Sequence, residues 1–257
     1  MLEQTFHTPL PLTLEVSIPS GDIGVETVDG EESLVTVDGD ERMLEHVEIR
    51  QDGDRVAVTL RDKGKLGISF SLGSLIFGNA GLRVEARVPH GAGVKVKTAS
   101  ADVEITGQLE RVDLNSVSGD VRVRGEVADN AIVKTVSGDV DLERVHGNVS
   151  VQTVSGDLRA RGIAGSADAK SVSGDIRLES LAAGDVRFNS VSGDIEIGIA
   201  PGSLLDVDAG STSGDLSSEV PLASEPPSGE EEEAAAAPTV VLRGRTVSGD
   251  VRVFRAG

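Results

Sequence analysis

The amino-acid sequence predicts an all-β chain wound as a parallel β-solenoid of about 18–19 residues per coil, with a less regular β cap at its N-terminal end. Three observations predict it. From Ser118 onward the phrase Ser-Gly-Asp plus an aliphatic residue recurs seven times, at Asp120, Asp139, Asp157, Asp175, Asp194, Asp215 and Asp250, and a degenerate copy, Ser100-Ala101-Asp102-Val103, precedes them. From Asp102 to Asp194 the aspartates lie 18, 19, 18, 18 and 19 residues apart, the fixed period that stacked coils require. Finally, only 2% of residues are aromatic, with no Trp and no Tyr, which suits a narrow coil that would have to accommodate a bulky ring in layer after layer.

Residues 1–92 read as the β-rich N-terminal part of the solenoid or its cap. Apolar and polar residues alternate over 12–18, 23–28, 34–37, 47–49 and 56–60, with turn residues between them at Pro19-Ser20-Gly21-Asp22, Asp29-Gly30, Asp38-Gly39-Asp40 and Asp52-Gly53-Asp54. Within this part, 64–81 is an apolar, Gly-rich loop, read either as a cover packed on the stack or as an exposed patch for a partner.

The regular array spans 93–217. Alternation through each Val-Ser-Gly-Asp-φ-x-φ phrase places three columns on one side. These are Val117, Val136, Val154, Val172 and Val191; then Val121, Val140, Leu158, Ile176 and Ile195; then Val123, Leu142, Ala160, Leu178 and Ile197. A second strand in each coil contributes inward pairs such as Val112/Leu114, Val149/Val151, Val186/Phe188 and Leu205/Val207. Residues 218–238, rich in Pro, Ala and Glu, break the pattern and read as a disordered, solvated insertion; 239–257 then rejoin as the final coil.

Charge and composition narrow the function classes. A net charge of -19 and the scarcity of rings argue against nucleic acid, which needs clustered cations or stacking platforms, and against adsorption to an anionic membrane. There is no cysteine for a disulfide, a thiolate nucleophile or a thiolate metal site. No basic-then-apolar leader, membrane span or wall anchor stands out, so the expectation is a cytoplasmic protein without direct membrane insertion.

Stacking aligns Asp102, Asp120, Asp139, Asp157, Asp175, Asp194, Asp215 and Asp250 as a structural column. Carboxylates about 4.8 Å apart repel by roughly 0.9 kcal/mol even in water, so each needs compensation. Backbone N–H groups of its own turn would supply it, or an arginine two positions on (Arg122, Arg159, Arg177, Arg252), or a divalent cation. Asp139, Asp141, Asp194 and Glu196 are the weak metal candidates, because Asp141 and Glu196 stand where the arginine would help. The Ser/Thr column Ser116, Thr135, Thr153, Ser171 and Ser190 reads as a hydrogen-bonding corner ladder. Catalytic residues are not apparent: a serine nucleophile needs a base, and His7, His46, His90 and His146 are dispersed. No cofactor motif is present.

The recurrent [ST]-V-S-G-D-[VIL]-x-[VIL] phrase, with its lead-in from Val88 to Thr98, resembles the bacterial "putative adhesin" β-strand-repeat family of unknown function. The resemblance covers most of 10–257. It implies a right-handed β-solenoid, often encoded with envelope-stress or membrane proteins, and brings no catalytic residues. The leading expectation is therefore a non-enzymatic scaffold or protein-interaction module, with a protein partner or self-association. The alternatives are a carbohydrate-binding or polysaccharide-acting β-helix and a calcium-binding repeat protein.

Overall fold

The computed structural model describes residues 1–60, 81–220 and 238–256. The apolar loop 64–81, but for Gly81, and the body of the 218–238 insertion lie outside the described residues. The chain divides into two compact units, residues 1–128 with 133–138, and residues 129–132 with 139–257.

In the first unit, β1 (Leu2–His7), β2 (Thr13–Val28), β3 (Glu32–Asp38), the short helix α1 (Glu41–Leu44), β4 (Val47–Asp52), β5 (Arg55–Leu60) and β6 (Leu82–Pro89) precede the long β7 (Ala92–Asn115) and β8 (Val121–Val127). The centre is β2. It pairs in parallel with β7 from Thr13↔Gly93 to Glu26↔Thr106, so it is itself a coil of the stack. On its other side β5 covers its first half and β6 its second, both in parallel. Beyond them β4 pairs antiparallel with β5, β3 with β6 and β1 with β3. The antiparallel layers cover the apolar column: Leu14, Val16, Ile23, Val25, Val56, Val58 and Val84 are all at most 2% exposed. Each such side chain, fully withdrawn from water, contributes about 1.5–3 kcal/mol.

This arrangement corrects one reading. Pro19-Ser20-Gly21-Asp22 is not a turn between two strands but the corner of one strand, and Ser20-Gly21-Asp22-Ile23 is a further copy of the motif, with Asp22 in register with Asp102.

The chain passes from one unit to the other within β9 (Ala131–Lys134). The second unit stacks two columns of short parallel strands. One contains β10 (Val140–Val145), β12 (Leu158–Ile163), β14 (Ile176–Leu181) and β16 (Ile195–Ile199). The other contains β11 (Val149–Gln152), β13 (Ala167–Lys170) and β15 (Gly184–Asn189). Both columns then continue out of chain order. After β16 the chain forms β17 (Leu204–Ser213) and β18 (Leu216–Ser218), and later β19 (Thr239–Ser248) and β20 (Val251–Arg255). It is β19 that pairs with β15, and β17 pairs with the far side of β19; likewise β20 lies between β16 and β18.

Residues 239–257 are thus not outermost, as expected for a final coil. They fill a gap left when the chain stepped over one coil position after Ile199. The interval between Asp194 and Asp215 is 21 residues, longer than the 18–19 of a single step, and the turn at 200–203 takes up the difference. Ser203 Oγ donates to the Ala182 carbonyl at 2.6 Å, and Arg255 Nη1 donates to the Ala200 and Ser203 carbonyls at 3.0 and 3.1 Å, tying the inserted coil to that turn.

Candidate functional site

Each coil turns at the repeated corner, where the motif's hydroxyls, glycine and carboxylate lie. The second strand's alternation carries through the Ser/Thr residue, so Ser116, Thr135, Thr153, Ser171, Ser190 and Thr246 are buried. Their hydroxyls donate to the carbonyl two residues on, as in Ser116 to Ser118 at 2.7 Å, Thr135 to Ser137 at 3.1 Å and Ser190 to Ser192 at 3.1 Å. Ser171 is an exception, its Oγ buried without a partner.

The residue that follows therefore points outward. Val117, Val136, Val154, Val172, Val191 and Val247 are 46–52% exposed, which corrects the expectation that this column faces the core. Strict alternation fails because the motif glycine takes a left-handed backbone, φ +102° at Gly119 and +123° at Gly174, which resets which face the next side chain takes. The glycine is also required by the stacking itself. A Cβ on Gly174 would lie 2.3 Å from the Gly156 carbonyl oxygen, and one on Gly249 would lie 2.2 Å from that of Gly193.

The aspartates form a ladder across coils. In the first unit Asp102 Oδ1 accepts the Asp120 amide at 2.9 Å. In the second, Oδ1 of Asp139, Asp157, Asp175, Asp194 and Asp250 accepts the amide of Asp157, Asp175, Asp194, Asp250 and Asp215 in turn, at 2.8–2.9 Å. Each carboxylate thus serves the next coil, not its own turn. The arginine compensation is narrower than the spacing implies. Arg122 does pair with Asp120 at 2.7 Å, but Arg159 and Arg177 go to Glu179, Arg177 also to Glu196 at 2.6 Å, and Arg252 to Glu219 at 2.6 Å.

The four metal candidates are not brought together. Asp139 and Asp194 belong to the amide ladder, Asp141 pairs with Arg161 at 2.9 Å, and Glu196 pairs with Arg177. Among the described residues no group of three or more His, Cys, Asp or Glu side chains is placed to hold a metal ion.

One constellation was not apparent in the sequence. Thr27 Oγ1 lies 2.7 Å from His90 Nδ1, and His90 Nε2 lies 3.5 Å from Asp29 Oδ1, a hydroxyl–imidazole–carboxylate chain. The parallel register of β2 with β6, which ends at Val28↔Pro89, sets these loops side by side. The hydroxyl is unsuited to attack a substrate. It is buried, accepts the Gln108 amide at 2.8 Å, and lies where a Cβ on Gly107 would be only 2.1 Å away. Its chemistry is that of a closed corner.

Cavities among the described residues of the first unit include one of about 440 Å³ beside Glu26, Glu85, Arg87 and Glu104, and one of about 340 Å³ beside Glu15, Arg55, Lys95 and Asp113. Most of these charges are paired: Arg87 with Glu26, Arg124 with Glu104, Arg55 with Glu15, and Lys95 with Asp113. Among the described residues, no helix is long and apolar enough to cross a membrane.

Comparison with known proteins agrees with this architecture. No curated protein matches the chain. Solved structures with the same fold include a "putative adhesin" of Bacteroides fragilis, at 13% identity and TM-score 0.57, and a "putative lipid binding protein" of Parabacteroides distasonis, at 13% identity and TM-score 0.59. In both cases 98% of this chain and 96% of the other are covered. The Toastrack DUF4097 family model matches residues 12–254, almost the whole chain, and the chain belongs to that family.

Proposed function

We infer that this Toastrack protein is a non-enzymatic, adhesin-like scaffold that works by binding another protein. The observation that carries the reading is the use of the motif's polar groups. Most of the corner carboxylates are occupied by amides of the adjacent coil, and most buried hydroxyls by carbonyls of their own turn, so the repeated acids and serines are architecture rather than chemistry. What the coils then offer is a rigid, regularly spaced surface with an exposed valine ladder and alternating charge. The name of the Bacteroides fragilis structure fits an adhesive role.

The reading is tested by immobilising the full-length protein in extract of its native host and incubating it separately with a panel of acidic and neutral polysaccharides. The expected result is retention of a defined protein with no glycan cleaved. Depolymerisation of any polysaccharide would overturn it.

A further inference from the structure

The coil formed by β17 and β18 ends the second unit's stack among the described residues, and it is left incomplete. β17 pairs only with β19 and β18 only with β20, so the outer N–H and C=O groups of both strands meet no described strand. On β17 the core residue Leu205 is buried, but the core position on β18 is open. Leu216 is in register with Val251 and Ile195, which are fully buried, yet Leu216 is 46% exposed, with no described strand over it. Among the described residues the ladder stops there too: the Asp215 amide is held by Asp250 Oδ1, and no described coil donates an amide to Asp215.

Charge selects what would complete this coil. Residues 200–220 contain Asp206, Asp208, Asp215 and Glu219 and no Lys or Arg. The coil on their inner side, 239–255, carries Arg243, Arg245, Arg252 and Arg255 against the single acid Asp250. There Asp208 is in register with Arg243, and Glu219 pairs with Arg252 at 2.6 Å. The inner face of the acidic coil is matched by a basic one, and its outer face by no described strand.

We propose that the outer edge of β17–β18 is a docking site for an extended, arginine- or lysine-bearing segment of another protein, which adds as one more parallel strand. An apolar side chain of that segment covers Leu216, a backbone amide meets the Asp215 carboxylate, and its cations face Asp206 and Asp208. A second copy of this chain is disfavoured as occupant, because pairing two such edges sets acid against acid. The inference rests on the interaction-module reading above and names its surface and partner class.

The chain's own inner coil supplies the probe. A labelled peptide with the sequence of residues 239–255, and a control with its arginines replaced by glutamate, are titrated into the full-length protein, into Leu216→Asp and into Asp206→Lys, with melting curves to confirm that each variant is folded. The proposal predicts saturable 1:1 binding to the native protein, at least ten-fold weaker to each folded variant and in 0.5 M salt, and none of the control peptide. It is overturned by no binding to the native protein, which would mean that the acids simply protect an edge. Equal binding to the variants overturns it, since that reports exchange with the resident strand. So does binding that appears only after deletion of residues 221–237, or a native protein that is already a dimer. Capture from host extract separates the two levels: a partner retained equally by Leu216→Asp refutes the edge alone, and no partner for either protein refutes the module reading with it.

Discussion

The ring of Phe188 occupies space that Gly244 leaves open. The two residues are in register on adjacent strands, Ala169 lies on the other side of Phe188, and a Cβ on Gly244 would come within 2.6 Å of the ring and 2.4 Å of the Phe188 carbonyl oxygen. A fully buried ring is thus accommodated in a stack of small aliphatics by a small residue above and below. Phe188→Ala is expected to cost about 3–5 kcal/mol, and Gly244→Ala a further share through the clash. In the double variant the two costs should sum to less than their separate values by about 0.5–3 kcal/mol, because they share one site. Denaturant unfolding of the four proteins measures this, and strict additivity would contradict the packing described.

The outward corner valines separate two substitutions of the same kind. Val172 is 47% exposed and Val151 fully buried. Val172→Thr should leave the melting temperature within about 2 °C of the native value, whereas Val151→Thr places a hydroxyl in the core and should cost about 1–3 kcal/mol. Equal effects would place the corner column inside, as simple alternation implies.

The order of the last coils is open to a crosslinking test, since the chain has no cysteine of its own. Ser192 and Ser248 are bridge partners, and Ser248 is in register with Ser213. Cysteines at 192 and 248 should oxidise to a disulfide under mild conditions. Cysteines at 192 and 213, two strand spacings or about 9.6 Å apart, should not, because a disulfide reaches about 7 Å between Cα atoms. The opposite outcome would restore simple chain order.

How far the sequence carries can be judged from these same residues. The period of the aspartates and the aliphatic columns at Val121, Val140, Leu158, Ile176 and Ile195 announce parallel stacking, because like residues must recur at like positions for a coil to repeat. The facing of Val117 and its equivalents is not legible that way. A period of two assumes an unbroken strand, and one left-handed glycine changes the phase. The copy at Ser20-Gly21-Asp22 is hidden by its distance, 80 residues before Asp102, since strand pairing ignores the β3–β6 excursion that separates them. The insertion of 239–255 is signalled only by an interval of 21 residues, which marks a longer climb without saying what fills it. The Thr27–His90 contact depends on the register between β2 and β6, which no local pattern encodes.

Calcium tests whether any of the ladder's carboxylates serves a cation. Asp139 and Asp194 each accept an amide, and Asp141 and Glu196 each face an arginine. Millimolar calcium, followed by a chelator, is expected to leave the melting temperature unchanged; a calcium-dependent rise would reveal selective binding to the folded state.

The amide of Asp194 decides most directly whether the motif acids build the stack. It donates to Asp175 Oδ1 at 2.8 Å, and the account predicts that in Asp175→Ala its hydrogen exchange quickens by at least ten-fold relative to neighbouring strand amides, with protection largely restored in Asp175→Asn, whose side-chain oxygen still accepts. An Asp194 amide as protected in the alanine variant as in the native protein would contradict it.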